Sequence, residues 1–348
     1  MEKGDYILGK KVYDLEEKLS SYVGVEHCIS CSSGTDALMI LLMSQKIGPG
    51  DAVFTTNFSF FATTEVISLV GATPIFIDID KSTFNLNSQI LESKIKDVLK
   101  EGKLTPRAII SVDLFGLLSN YSEIEKISEK YNLFLIEDAA QSFGATFKNR
   151  KAGSFGDAAA TSFYPAKPLG CDGDGGAIFT NNSDTADLCK SIRVHGEGTD
   201  KYHNIQIGIN GRLDTIQASV LLNKMKIFDN ELKLRNLVAK EYSSSLPTNV
   251  VVPNIADDYT SSWAQYSILL NSEEERNDII TLLQNEGIPT AVFYKVPFHK
   301  NKVYDLDESN HFPVSEEVSK CILSLPMHPY LSKDEISKIS NLICNYYK

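Results

Sequence analysis

The chain has 348 residues, with 34 Lys and Arg against 45 Asp and Glu, which gives a net charge of -11 at pH 7. This acidic balance argues against general nucleic-acid binding, which needs a basic surface. No run of about 18 apolar residues occurs and the start of the chain is polar, so we predict no membrane span and no signal segment, and expect a cytoplasmic protein. The length allows a large domain with a smaller one attached.

The six cysteines are scattered, and only Cys28 and Cys31 form a C-x-x-C pair. A zinc site normally needs a second such pair or histidines at matching spacing, and neither is nearby. Disulfide frameworks belong mainly to small secreted domains. We therefore predict reduced, structural cysteines and no metal site.

Short apolar, β-branched runs alternate with longer amphipathic runs through the first part of the chain. The predicted strands span residues 28–32, 52–56, 74–79, 108–113, 133–138, 159–163 and 177–180. The predicted helices between them span residues 35–45, 61–69, 91–99 and 121–131. Such alternation is typical of an α/β domain with a mostly parallel sheet, in which ligands bind beyond the carboxyl ends of the strands.

The pattern changes near residue 229. Two helices are predicted there, at residues 212–228 and 230–242. After two prolines, a small α/β unit is predicted from strands at 264–270 and 290–293, a helix at 273–285 and a closing helix after Asp334. We therefore predict a large domain over residues 1–229 and a small C-terminal domain over residues 230–348.

A lysine that follows the strand at residues 159–163 is the first candidate for chemistry. Lys167 lies between Pro165 and Pro168, which restrict the backbone, and a glycine-rich stretch follows it. A lysine that forms a Schiff base must lose its proton, so it needs a desolvated and fixed position. The alternative is an ordinary lysine in a glycine-rich surface turn.

An acidic residue ends the strand at residues 133–138, and an amide follows three residues later. A pyridoxal cofactor needs a carboxylate beside its ring nitrogen to keep that nitrogen protonated, and Asp138 could supply it, with Gln141 nearby. Asp138 could instead cap a following helix.

Small residues join the first strand to the first helix in the segment 30–37, SCSSGTDA. Backbone N–H groups at a helix N-terminus bind phosphate, although this segment could be a simple capping turn. Phe60 follows the second strand and could stack on a planar ring, or could be a core aromatic. The order of phosphate turn, aromatic, carboxylate and lysine, each at a strand end, favours a pyridoxal-phosphate enzyme.

Five motifs in this order resemble the sugar-nucleotide aminotransferases of the DegT/StrS type: SSGTDA, EDAAQSFGA, SFYPAKPLGCDGDGGA, HGEGTDKYHN and GINGRLDTIQA. The resemblance implies the α/β fold type I of pyridoxal-phosphate enzymes, with a seven-stranded, mostly parallel sheet and a small C-terminal α/β domain. It also implies transamination of a keto-sugar nucleotide by glutamate, for polysaccharide or lipopolysaccharide synthesis. The closest likeness is to enzymes that aminate UDP-2-acetamido-3-oxo-glucuronic acid.

The resemblance also implies roles for individual residues. Lys167 would form the Schiff base, Asp138 would pair with the pyridine nitrogen, and Gln141 would touch the ring hydroxyl. Ser162 and the backbone of Gly34 and Thr35 would bind the phosphate. Phe60 would cover the ring face, and Asn210 would bind the phosphate in the partner subunit. Because Asn210 would serve the neighbouring subunit, the active unit would be a homodimer.

One position departs from the family pattern. Relatives carry a histidine at the position of Phe293, where it meets the sugar acid, so a neutral or deoxy sugar is nearly as well supported here as a uronic acid. An anionic sugar diphosphate needs local cations in this acidic protein. Two loops are predicted to bind it, one with Arg193, His195, Lys201, Tyr202 and His203, the other with Phe293, Tyr294, Lys295, His299 and Lys300. The alternative is that these are solvated loop charges.

Other functions remain as alternatives. A sugar dehydratase on the same scaffold would carry histidine in place of Lys167 or would hold an iron–sulfur cluster. The cysteine spacing that such a cluster needs is missing from this sequence. A nucleotide-binding oxidoreductase would need G-x-G-x-x-G after the first strand. A non-catalytic regulatory protein of the same fold, or an aminotransferase for 4-keto sugars, stays open.

Overall fold

A computed structural model describes residues 4–200, 202–304 and 311–348. Its strands are β1 (His27–Cys31), β2 (Asp51–Thr56), β3 (Thr73–Ile77), β4 (Thr105–Val112), β5 (Phe134–Asp138), β6 (Thr146–Phe147), β7 (Arg150–Lys151), β8 (Ala158–Ser162), β9 (Gly176–Thr180), β10 (Tyr259–Thr260), β11 (Tyr266–Leu269) and β12 (Ile322–Leu325). Its α-helices are α1 (Lys10–Val23), α2 (Gly34–Ser44), α3 (Ala62–Leu69), α4 (Ser88–Glu101), α5 (Tyr121–Tyr131), α6 (Ser183–Arg193), α7 (Thr215–Lys224), α8 (Phe228–Ser245), α9 (Glu273–Asn285), α10 (Pro313–Cys321) and α11 (Lys333–Tyr346).

A seven-stranded sheet forms the centre of the large unit, in the order β1-β9-β8-β5-β4-β2-β3. The five strands from β8 to β3 are parallel to their neighbours, and β9 is antiparallel to both β8 and β1. This architecture confirms the predicted α/β fold class and the mostly parallel sheet.

Alternate residues of the central strands enter two separate cores, because successive side chains of a strand point to opposite faces. In β5, Ile136 packs in the core beneath α2, α3 and α6, whereas Leu135 packs in the core beneath α4 and α5. Helices α1 and α7 cover the β1–β9 edge, where α1 buries Val12, Leu15 and Leu19 at helical spacing. The sheet is therefore buried on both faces, and a ligand can be bound only by the loops at the ends of its strands.

The C-terminal unit packs α8, α9 and α11 around the antiparallel pair β11–β12. The predicted strand at residues 290–293 is wrong, because only Ala291 pairs with a neighbour, through an isolated bridge to Ser324. Strand β10 pairs with β6 of the large unit, so the two units share a small sheet. We propose that the domain boundary lies at the start of α8, close to the predicted residue 229. Within the described ranges, no helix is both long and apolar enough to cross a membrane.

Candidate active site

Loops that follow β1, β2, β5 and β8 enclose a cavity of about 520 Å³. This volume is in the range of roughly 300–1,000 Å³ that is usual for small-molecule sites. The C-terminal unit closes one side of the cavity. The lining residues are Ser33, Gly34, Thr35, Leu38, Ser59, Phe60, Ala62, Thr63, Asp138, Ala140, Gln141, Ser162, Tyr164, Ala166, Lys167, Asp174, Gln265, Phe293 and Tyr294.

Asp138 lies on the cavity wall at the last position of β5. The Thr63 hydroxyl donates to Oδ2 at 2.9 Å, and the Ala140 N–H donates to Oδ1 at 3.2 Å. Residues 140–144 form a turn, so Asp138 caps no helix. Burial raises the pKa of Asp138, because the ionised carboxylate is poorly solvated there. A cation placed beside this carboxylate would therefore strongly stabilise its ionised form.

Lys167 lies in a tight loop that follows β8. Its N–H donates to the Tyr164 carbonyl at 2.8 Å, and a Cβ at Gly170 would lie 2.6 Å from the Pro165 carbonyl oxygen, so only glycine fits there. The side chain is partly buried and lines the cavity. Burial lowers the pKa of Lys167, while the negative charge of Asp138 raises it. A side chain that is partly buried in a cavity and has a lowered pKa is suited to nucleophilic chemistry.

The N-terminus of α2 packs directly against the end of β8. Ser33 caps the helix by accepting the Asp36 N–H at 3.0 Å, which leaves the N–H groups of Gly34 and Thr35 without a partner inside the helix. A Cβ at Gly34 would lie 2.7 Å from the Cβ of Ser162. Two backbone donors and a serine hydroxyl therefore meet at a helix N-terminus, which suits a phosphate group.

Gln141 connects the cavity to the C-terminal unit. Its Oε1 accepts the Phe115 N–H at 2.8 Å, and its Nε2 donates to the Tyr294 hydroxyl at 3.2 Å. Phe60 is 57% exposed and faces the cavity, so it is not a core aromatic.

The predicted sugar-binding residues are only partly brought together. Phe293 and Tyr294 line the cavity, but His195, Tyr202 and Lys295 are exposed and do not line it. Lys201 lies outside the described residues.

Arg193 is buried within the protein. Its Nη1 lies 2.7 Å from Glu16 Oε1 and donates to the Ser30 carbonyl at 2.8 Å. Its charge is paired with Glu16, and Arg193 does not line the cavity. Asn210 is exposed, pairs with Val194 through an isolated bridge, and is not among the residues that line the cavity of its own chain.

Several cavity residues were not predicted from the sequence. Thr63 lies in the first turn of α3, three residues after Phe60, and its position could have been inferred from that segment. Gln265 comes from the C-terminal unit, and its Oε1 is buried with no hydrogen-bond partner. No local signal marks Gln265, because its role depends on how the two units pack.

The profile of the DegT/DnrJ/EryC1/StrS aminotransferase family matches residues 1–343. The chain belongs to this family. It is 43% identical to the UDP-2-acetamido-2-deoxy-3-oxo-D-glucuronate aminotransferase of Pseudomonas aeruginosa, over 99% of this chain and 93% of the relative. It is 35% identical to the UDP-N-acetyl-3-dehydro-alpha-D-glucosamine 3-aminotransferase of Acidithiobacillus ferrooxidans, over 99% of this chain and 90% of the relative.

Solved structures agree with this assignment. A DegT/DnrJ/EryC1/StrS aminotransferase from Brucella abortus superposes with a TM-score of 0.96 at 49% identity, covering 99% of this chain and 92% of the other. NtdA from Bacillus subtilis, with bound cofactor PMP, superposes with a TM-score of 0.88 at 29% identity, covering 99% of this chain and 79% of the other.

Proposed function

We propose that this aminotransferase uses pyridoxal 5′-phosphate, held on Lys167, to transfer an amino group from glutamate to a keto-sugar nucleotide. One observation carries the proposal: Lys167, Asp138 and the Gly34–Ser162 contact face a single cavity. Lys167 supplies an amine with a lowered pKa, Asp138 supplies a buried carboxylate, and the α2 N-terminus supplies phosphate donors. These three features match the aldehyde, the ring nitrogen and the phosphate of the cofactor.

The bound cofactor supplies an electron sink for the electrons released at the donor's α-carbon. Asp138 keeps that sink effective, because its carboxylate favours a protonated ring nitrogen. Lys167 Nζ is the base that takes the proton from the α-carbon of the amino donor and later returns a proton to the product. Gln141 lies where it can contact the ring hydroxyl, and Phe60 where it can cover the ring face.

The substrate is a 3-keto sugar linked to a nucleotide, most simply UDP. The two relatives described above are both named for UDP-linked 3-keto sugars, which supports this choice over a 4-keto sugar. Phe293 offers the sugar an apolar surface in the cavity, so a neutral or deoxy sugar is as acceptable as a uronic acid. His195, Tyr202 and Lys295, which are exposed, are the candidates for binding the nucleotide diphosphate.

The active unit is a homodimer in which Asn210 serves the partner's phosphate site. Asn210 is exposed and is not among the residues that line the cavity of its own chain. Exposed apolar residues occur in the same part of the chain, including Ile205, Ile207 and Ile216. Such apolar exposure is typical of a protein–protein interface. All six cysteines are free thiols, which fits a cytoplasmic enzyme.

Mass spectrometry of the reaction product tests the proposed function. The protein is incubated with glutamate and a UDP-linked 2-acetamido-3-keto sugar, and we expect the amino sugar and 2-oxoglutarate. Lys167→Ala should give no product. Lys151→Ala is the matched control, because Lys151 also has a pKa lowered by burial but packs on the Tyr22 ring outside the cavity. A protein that binds the cofactor but is not changed by glutamate would instead be the non-catalytic regulatory form.

A further inference from the structure

Asn57 and His299 fasten the segment that follows Tyr294 onto the loop after β2. Asn57 is completely buried, and its N–H donates to the Ile77 carbonyl at 2.8 Å. Its backbone carbonyl accepts the backbone N–H of Phe298 at 2.9 Å, and its side-chain Oδ1 accepts the backbone N–H of His299 at 3.0 Å. Its Nδ2 faces the ring Nδ1 of His299 at 2.8 Å. One asparagine therefore uses its backbone and its side chain to hold two consecutive residues of the other segment.

This contact fixes the protonation state of His299. Because Asn57 Oδ1 accepts a backbone N–H, the amide cannot be turned over without placing two donors against each other. Asn57 Nδ2 is therefore the donor and His299 Nδ1 the acceptor, so Nδ1 carries no proton. A neutral imidazole then has its proton on Nε2, which faces Glu316 Oε1 at 3.2 Å.

A second proton on the ring would break the contact, since N–H groups of both residues would face each other across 2.8 Å. Two groups favour that proton: Glu316, from α10, and Asp78, from the loop after β3. Lys300 disfavours it, and the Phe312 ring packs against the imidazole at a tilt of 41°, with centroids 4.7 Å apart. Burial has the largest effect and lowers the pKa of His299.

The contact lies beside the cavity wall. Asn57 is followed directly by Phe58, whose ring packs edge-on against Tyr294 at 5.8 Å, and then by Ser59 and Phe60, which line the cavity. We propose that His299, neutral and unprotonated at Nδ1, is a positioning residue that holds the cavity-lining residues Ser59 and Phe60 in place, and that protonation of Nδ1 lets these residues move. His299 touches neither the cofactor nor the substrate in this scheme, and it acts through Asn57.

The tautomer is measured by ¹⁵N NMR of histidine-labelled protein, with the His299 signals assigned by their loss in His299→Gln. We expect Nε2 protonated and Nδ1 bare at pH 7, and a titration whose midpoint lies below the ordinary histidine pKa of about 6.5. A proton on Nδ1 at pH 7 would overturn the proposal. This measurement does not depend on the proposed function, so it holds even if the protein proves to have another activity.

A pH profile of kcat/KM for the keto sugar tests the effect on the cavity and rests on the proposed function. One lost hydrogen bond of about 0.5–1.5 kcal/mol corresponds to a fall of roughly 2- to 12-fold as wild-type His299 takes up a proton. Asn57→Asp should remove this acid loss, because a carboxylate accepts both the His299 N–H and a protonated Nδ1. His27→Gln, at the far end of β1, should keep the wild-type profile. An unchanged acid loss in Asn57→Asp would refute the proposal, whereas absence of product at every pH would refute the proposed function instead.

Discussion

Gly34→Ala tests the phosphate site with a change of one methyl group. The new Cβ would lie 2.7 Å from Ser162 Cβ and 3.2 Å from Ser162 Cα, whereas ordinary contacts begin near 3.4 Å. The N-terminus of α2 and the end of β8 must therefore separate by about 0.7 Å. The backbone N–H groups of residues 34 and 35 and the Ser162 hydroxyl could then no longer all reach one phosphate.

The cost follows from the hydrogen bonds that are lost. A hydrogen bond to a charged group contributes about 1.5–3 kcal/mol, so losing one weakens cofactor binding by roughly 10- to 150-fold. Alanine is a better helix former than glycine, by up to about 1 kcal/mol, so a weaker α2 is not the cause.

The assay is an absorbance titration of the cofactor-free protein with pyridoxal phosphate. Gly48→Ala is the matched control, because a Cβ at Gly48 would meet only the Val70 carbonyl oxygen, at an ordinary 3.5 Å. We expect wild-type affinity in the control and the loss described above in Gly34→Ala. An affinity in Gly34→Ala within twofold of the wild type would show that the phosphate binds elsewhere.

Four further predictions concern the same site. Asp138→Asn should keep the fold and lower kcat by orders of magnitude, measured in the glutamate half-reaction, and a near-normal kcat would show that the carboxylate is only structural. Cofactor capture should slow as the pH falls through the lowered pKa of Lys167, because only the neutral amine reacts. Asp138→Asn removes a negative charge that raises this pKa, so the slowing should move to lower pH. Stopped-flow absorbance would detect a shift in either direction. Lys295→Ala should raise KM for the sugar nucleotide and leave the glutamate half-reaction intact, while Phe293→His should shift preference toward the uronic acid; if neither changes, the sugar binds elsewhere. Mixed dimers of Lys167→Ala and Asn210→Ala subunits should regain activity, and an active monomer in sedimentation would contradict the shared site.

The sequence was sufficient to predict the sheet and the meeting of the residues that we propose bind the cofactor. The strands are short apolar runs with polar residues at their ends, and parallel strands present their carboxyl ends at one edge. Because β5 and β8 are neighbours in the sheet, the edge rule alone brings Asp138 and Ser162 together. The position of Lys167 near them could be predicted because it lies in the loop that follows β8.

Features that depend on packing between distant segments could not be predicted in this way. Arg193 looked like a free cation in a polar loop, but the last turn of α6 places it against Glu16 of α1. The run at residues 290–293 has strand-like composition, yet only one of its residues pairs with a neighbour. Gln265 reaches the cavity only because the C-terminal unit closes over it, and no local pattern records that contact.

Borohydride reduction of the cofactor-loaded protein, followed by peptide mapping, tests the central claim most directly. We expect a single modified peptide that carries the cofactor on Lys167, and loss of that label when glutamate is added before the reductant. A label on any other lysine, or no label in protein that binds the cofactor, would contradict it.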